Sequence, residues 1–255
     1  MQHNSLYMLK VAFIVALGGF LMGFDSSVIS GVVGFIEVEF ELTSLQLGWS
    51  VSSLTLTATL AMMVAGPIRD RIGRRPVLQI ASVLFALSAI ASGLAPNFLL
   101  LVIARMLGGL GVGAALIIAP MFIAEMAPPQ SRGRLVSFNQ FNIVIGISVA
   151  FFCNYLILSM SQSGSQLSQM LRLDDWTWRW MLGVELLPAI LYYAALMMVP
   201  ESPRWLVIHD REEEARAILQ RINGAQLAEE VIESIKASVY ADSKKERAPL
   251  LTLLH

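Results

Sequence analysis

Three ionisable residues sit where ionisable residues are scarce. Asp25 lies in "GFDSSVISG", Arg105 opens "RMLGGLGVG", and Glu185 interrupts "WRWMLGVELLP". Each is embedded in a long apolar run. A charge at the centre of a bilayer costs roughly 3 kcal/mol on insertion scales, so such residues normally have partners and a task. Two acids and one base of this kind form a candidate intramembrane cluster. Arginine is in effect always charged, and the acids can take up and release protons. If the distance between Asp25 and Arg105 differs between two conformations, the acid's proton affinity differs with it. That is a physical basis for coupling. Two blander readings stay open: an acid satisfied by a neighbouring hydroxyl, and a static ion pair.

The elements that position these groups follow from hydropathy. The chain has 255 residues, 56% hydrophobic and 15% charged, against about 25% charged in soluble domains. The net charge of −1 says little about partners. Six apolar runs, 9–33, 47–67, 77–95, 98–124, 135–160 and 180–199, approach or exceed the length that crosses a bilayer. The first run continues past Asp25 with no small-residue cleavage site, so it reads as a retained span and not a signal peptide. The single cysteine, Cys153, can make no intramolecular disulfide and reads as a small apolar packer.

Arginine fixes the expected orientation. Arg69, Arg71, Arg74 and Arg75 follow span 2, and Arg132 and Arg134 follow span 4. The opposite loops carry Glu37, Glu39 and Glu41, and only Arg172 as a base. Both termini are therefore expected in the cytoplasm. Trp49, Trp176, Trp178 and Trp180 are expected in the outer interfacial belt.

Span 1 repeats small residues at Gly19, Gly23, Ser27 and Gly31, a stripe that admits a close helix. Asp25 points away from that stripe. Near the cytoplasmic end of span 5, "SFNQFN" offers Asn139, Gln140 and Asn142, amides that can bind hydroxyls or simply join helices. The cytoplasmic rim carries Asp70 and Arg71, Arg74, Glu125 and Arg132, and Glu201 and Arg204. Singly these are surface charges; together they can latch helix ends.

Residues 200–255 are polar. "HDREEEARAILQRING" predicts a helix capped by Asp210 and stopped at Gly224, with Ala215, Ile218, Leu219 and Ile222 as its apolar stripe. A second amphipathic segment is predicted on Leu227, Val231, Ile235 and Val239, and a third is suggested near Leu250. No metal-ligand cluster, phosphate loop or nucleophile–histidine pairing is present, and His3, His209 and His255 are isolated. The sequence thus argues against an enzyme, and nothing in it implies a cofactor or nucleic acid.

These stretches, with "GPIRDRIGRRP", "PMFIAEMAPPQSRGRLVSFNQ" and "VPESPRWL", resemble the N-terminal half of the sugar porters in the major facilitator superfamily. The resemblance covers nearly all of residues 9–210. It implies an all-α membrane protein whose six spans at 1–199 form two inverted three-helix repeats, followed at 200–255 by intracellular helices. It implies transport of a monosaccharide together with a proton. On that basis Asp25 is the coupling acid, with Arg105 and Glu185 beside it. Gln140, with Asn139 near it, would contact sugar, and Asp70, Arg71, Arg74, Glu125, Arg132, Glu201 and Arg204 would form the cytoplasmic gate. Ile147 stands where some relatives carry a second amide. The family has twelve spans, so the implied partner is a C-terminal half. Asp25, Arg105, Glu185 and Gln140 are then expected on the face that half would cover, and residues 1–255 alone are expected not to transport. A passive uniporter, a sugar sensor and a non-functional half remain alternatives.

Overall fold

A computed structural model describes residues 2–128 and 131–245. The described chain is helical. Helix α1 (Gln2–Val28) runs through a 3-10 turn (Ile29–Gly31) into α2 (Val33–Glu39). Then come α3 (Ser44–Ile72), α4 (Arg74–Gly93), α5 (Phe98–Met126) and α6 (Arg132–Gln162). Short helices α7 (Gln166–Met170), α8 (Thr177–Gly183) and α9 (Leu186–Leu196) follow, then α10 (Pro203–Ile208), α11 (Glu212–Asn223) and α12 (Ala225–Lys245).

Among the described residues, five helices are long and apolar enough to cross a membrane: Leu6–Gly31, α3, α4, α5 and α6. The 29 residues of α5 measure about 44 Å, well beyond the roughly 30 Å hydrocarbon layer. The sixth expected span begins earlier, at Thr177, and its helix tightens between α8 and α9 at Val184 and Glu185, which both keep helical dihedrals. Pro188 is the cause. It has no N–H to bond the Val184 carbonyl, and its ring crowds that oxygen. Leu187 N–H takes over the Val184 carbonyl at 3.2 Å in a tighter turn.

Local signals set the other ends. Thr43 and Gln46 form a reciprocal capping box at the start of α3. Asn97 accepts from Leu100 N–H at 3.0 Å to start α5.

Packing is pairwise. α1 lies on α6, and α5 lies on α3 and α4. Span 1 thus meets span 5 as span 4 meets span 2, the pairing that exchanging the two three-helix units would give. The small-residue stripe of α1 faces α6, as expected. A Cβ on Gly23 would stand 2.1 Å from the Ile143 carbonyl oxygen, and one on Gly146 would stand 2.1 Å from that of Phe20. Only glycine permits backbones that close.

Three further expectations are corrected here. Trp178 is buried, unlike Trp49, Trp176 and Trp180, so it is no belt residue. Asp210 does not cap α11; it ends α10. It adopts φ 59°, and Arg211 N–H reaches back to the Leu206 carbonyl at 2.9 Å. An aspartate tolerates that left-handed closing turn. In α12 the buried positions are Ala228 and Ile232; of the expected stripe Val231, Ile235 and Val239 are half-buried and Leu227 is exposed, so the apolar face is centred one residue further on. The α11 stripe is as expected: Ala215, Leu219 and Ile222 are buried. The suggested third helix near Leu250 lies outside the described residues.

Candidate functional site

Asp25 and Arg105 meet. Arg105 Nη1 donates to Asp25 Oδ1 at 2.5 Å, and Nη2 donates to the Asp25 backbone carbonyl at 3.1 Å. The guanidinium therefore grips both the side chain and the main chain of span 1. Asp25 is 0% exposed, and Arg105 and Glu185 are 2% exposed each. Glu185 stands at the α8–α9 junction, within electrostatic reach of both partners. Asp25 Oδ2 and Glu185 Oε1 accept no hydrogen bond. A buried charge pair gives little net stability once desolvation is counted.

Two other elements shape this centre. A Cβ on Gly108 of α5 would fall 2.6 Å from Asp25 Oδ2 and 2.7 Å from Ser88 Oγ of α4. The acid is thus packed between α5 and α4. The structure corrects one expectation: Asp25, Arg105 and Glu185 are enclosed by α1, α4, α5 and the α8–α9 junction, and do not lie open on the outer face of the bundle. Gln140 does; it is exposed on α6. Asn139, its neighbour, turns the other way. It is buried against α1, where a Cβ on Gly19 would meet its Oδ1 at 2.8 Å. The two amides expected near sugar are therefore on different faces. Asn142 is also buried and donates to the Phe138 carbonyl at 3.1 Å.

The arginine-rich end holds a second cluster. Arg74, 3% exposed, forks onto Glu125 with two contacts of 3.0 Å and reaches Asp70 at 3.3 Å. Glu201 accepts from the first backbone N–H groups of α4, Arg74 at 3.0 Å and Arg75 at 3.2 Å. The positive end of that helix dipole favours an anion there. Ser202 Oγ donates to Glu125 Oε2 at 2.5 Å, which ties the two acids into one unit. Burial pushes the Glu201 carboxyl above its ordinary value of 4.5, outweighing the N–H bonds from Ser202, Arg75 and Arg74 that act in the opposite direction. Asp70, Arg74, Glu125 and Glu201 are thus brought together. Arg71 and Arg132 are exposed, with no ion pair among the described residues. Arg204 lines a cleft of about 970 Å³ beside this cluster, together with Arg132, Trp205 and residues of α12.

The sequence did not foretell a third cluster, at the other end of the bundle. Glu39 accepts from Trp178 Nε1 at 2.5 Å and from Arg179 Nη2 at 2.8 Å. Arg179 also donates to the Ala95 carbonyl at 2.6 Å. Glu39 and the "WRW" run are over a hundred residues apart, and no spacing rule connects them.

Membrane-length helices closed around a buried acid–base centre, with a charged cluster at one end, define a multi-pass helical membrane protein. The chain matches the family described as sugar (and other) transporter over residues 11–255, and it belongs to that family. It is 42% identical over 254 residues to the glucose transport protein of Synechocystis sp., covering 98% of this chain and 53% of that protein. It is 36% identical to the D-xylose-proton symporter of Escherichia coli K12, over 93% of this chain and 52% of the relative. A solved structure of the proton:xylose symporter XylE of the major facilitator superfamily, bound to 6-bromo-6-deoxy-D-glucose, superposes with a TM-score of 0.87. That match has 36% identity over 96% of this chain and 55% of the other. The chain spans about half the length of the curated relatives it matches.

Proposed function

We propose that these residues form one half of a monosaccharide transporter driven by a proton gradient, with both termini in the cytoplasm. The observation that carries the proposal is the Asp25–Arg105 pair, buried, with Glu185 beside it. An acid held by a permanent cation binds a proton less tightly while the pair is closed than when it is parted. A conformational change that separates span 1 from span 4 would therefore take up a proton, and the reverse would release it. In that account Glu185 tunes or receives the proton. Gln140, exposed on α6, is the amide we assign to a sugar hydroxyl, and the Arg74–Glu125–Glu201 cluster is the cytoplasmic latch. The remaining sugar contacts would come from a second half that packs on the exposed faces, since alternating access works by rocking two units around one site. The orientation rests on the arginine excess of the loops at 68–76 and 127–134.

The test is Asp25→Asn in a full-length protein carrying these residues, reconstituted in liposomes. Uphill sugar accumulation should vanish while sugar exchange survives, because the binding amide is untouched. Accumulation against a gradient by Asp25→Asn would refute the coupling role.

A further inference from the structure

The acidic residue at the far tip of span 1 is bound more firmly than a surface charge needs to be. Glu39 ends α2, and its two oxygens serve different partners: Oε2 takes the Trp178 indole N–H and Oε1 takes Arg179. Trp178 is 2% exposed. The Arg179 guanidinium lies 4.3 Å from the Trp178 ring centroid and 5.8 Å from that of Trp176. Its other amino group binds the Ala95 carbonyl just beyond the end of α4. Exposed pairs are commonly worth little, and the Glu39 side chain is 40% exposed, but its partner Arg179 is covered by two indoles and the contact joins three elements.

What those elements carry is the second observation. Arg179 is six residues before Glu185, about 9 Å along a helix. Between them the helix tightens at Val184 and Glu185, which keep helical dihedrals, because Pro188 removes one hydrogen bond. The seven residues of α8 are therefore joined to α9 where one helical bond is missing, and Glu185 sits beside it. Span 1 is also interrupted, by the 3-10 turn at Ile29–Gly31. There Asn154 of α6 donates to the Val28 carbonyl at 2.9 Å, three residues past Asp25. Each acid of the centre thus lies near a joint, and beyond the joints the two tips are tied to each other.

We propose that Glu39 is a positioning residue: by binding Trp178 and Arg179 it locks the tip of span 1 to α8, and so sets where Glu185 stands relative to Asp25 and Arg105. Glu39 touches none of the three. It acts through the rigid short helices α2 and α8, whose swing about their joints it prevents. The inference rests on the coupling role proposed for the buried centre, but its test reads geometry and needs no transport.

The experiment is infrared spectroscopy of the purified 255-residue chain across a pH series, with Glu185→Gln identifying the Glu185 carboxyl band. Glu39→Ala should move the midpoint of that band by about one pH unit, a tenfold change in proton affinity. Glu39→Gln keeps an acceptor for Trp178 and should move it less. Trp178→Phe, which keeps the ring packing and loses the N–H, should move it in the same direction as Glu39→Ala, and stands in if Glu39→Ala does not fold. Ile232→Ala, in the separate α11–α12 core, is the control for general destabilisation. An unmoved midpoint in both Glu39→Ala and Trp178→Phe, even with a lowered melting temperature, would overturn the proposal. So would an equal movement in Ile232→Ala.

Discussion

Gly108→Ala perturbs the buried centre by one methyl group. The new carbon would stand 2.6 Å from Asp25 Oδ2 and 2.7 Å from Ser88 Oγ, where ordinary contact begins at 3.4 Å. Both oxygens must retreat, by about 0.8 and 0.7 Å, or α5 must shift. Movement of the Asp25 carboxylate pulls on its 2.5 Å bond to Arg105. Overpacking of this kind costs about 1–3 kcal/mol, and here part of the cost falls on the ion pair. Denaturant titration of the purified chain in detergent micelles should show a loss in that range. Ser88→Gly in the same background opens space on the other side and should recover part of it. Ser88→Gly alone should not stabilise the chain. A Gly108→Ala chain within about 0.5 kcal/mol of wild type, the usual scatter of neutral surface substitutions, would refute the packing described around Asp25.

Three more outcomes follow from the same structure. Burial raises the Glu201 value in the folded chain, so its contribution to stability is complete below 4.5 and is lost as pH rises through the higher folded value; the stability difference between Glu201→Gln and wild type, in favour of the variant, should therefore grow with pH, and a pH-independent difference would show that Glu201 titrates normally. With Cys153→Ala as background, cysteines at Ser44 and Ser165 should react with an impermeant thiol reagent added outside intact cells, and cysteines at Gly133 and Gln220 should not; the reverse pattern would invert the proposed orientation. Gln140→Ala in a full-length protein should cost on the order of 1–3 kcal/mol of sugar binding, roughly tenfold or more in affinity, without loss of folded yield; unchanged affinity would remove Gln140 from the sugar site.

The spans and the centre were legible because a bilayer leaves strong marks. Long apolar runs, a small-residue stripe at every fourth position and lone charges inside them are visible one residue at a time. The α1–α6 contact at Gly23 and Gly146 could be anticipated on the α1 side from spacing alone. Elsewhere the decisive fact lay in distance along the chain. Nothing local shows that Glu39 meets Trp178, or that Glu201 caps α4 a hundred residues upstream. Asp210 was misread because aspartate serves both as a helix cap and in a left-handed closing turn, and only the Leu206–Arg211 bond decides between them. Asn139 and Gln140 are both amides, and composition does not say which face each takes; a rotation of one residue on α6 buries the first and exposes the second. Pro188 was in plain view, yet a hydropathy window passes over a tightened turn that keeps its apolar character.

The central claim is that the Asp25–Arg105 pair exchanges a proton as sugar moves. It is tested most directly by adding sugar to proteoliposomes of a full-length protein carrying these residues, with no imposed gradient, and following the external pH. The account predicts alkalinisation outside on sugar addition, abolished in Asp25→Asn although radiolabelled sugar still equilibrates. Sugar entry with no accompanying pH change in the wild type would contradict it and leave a passive uniporter.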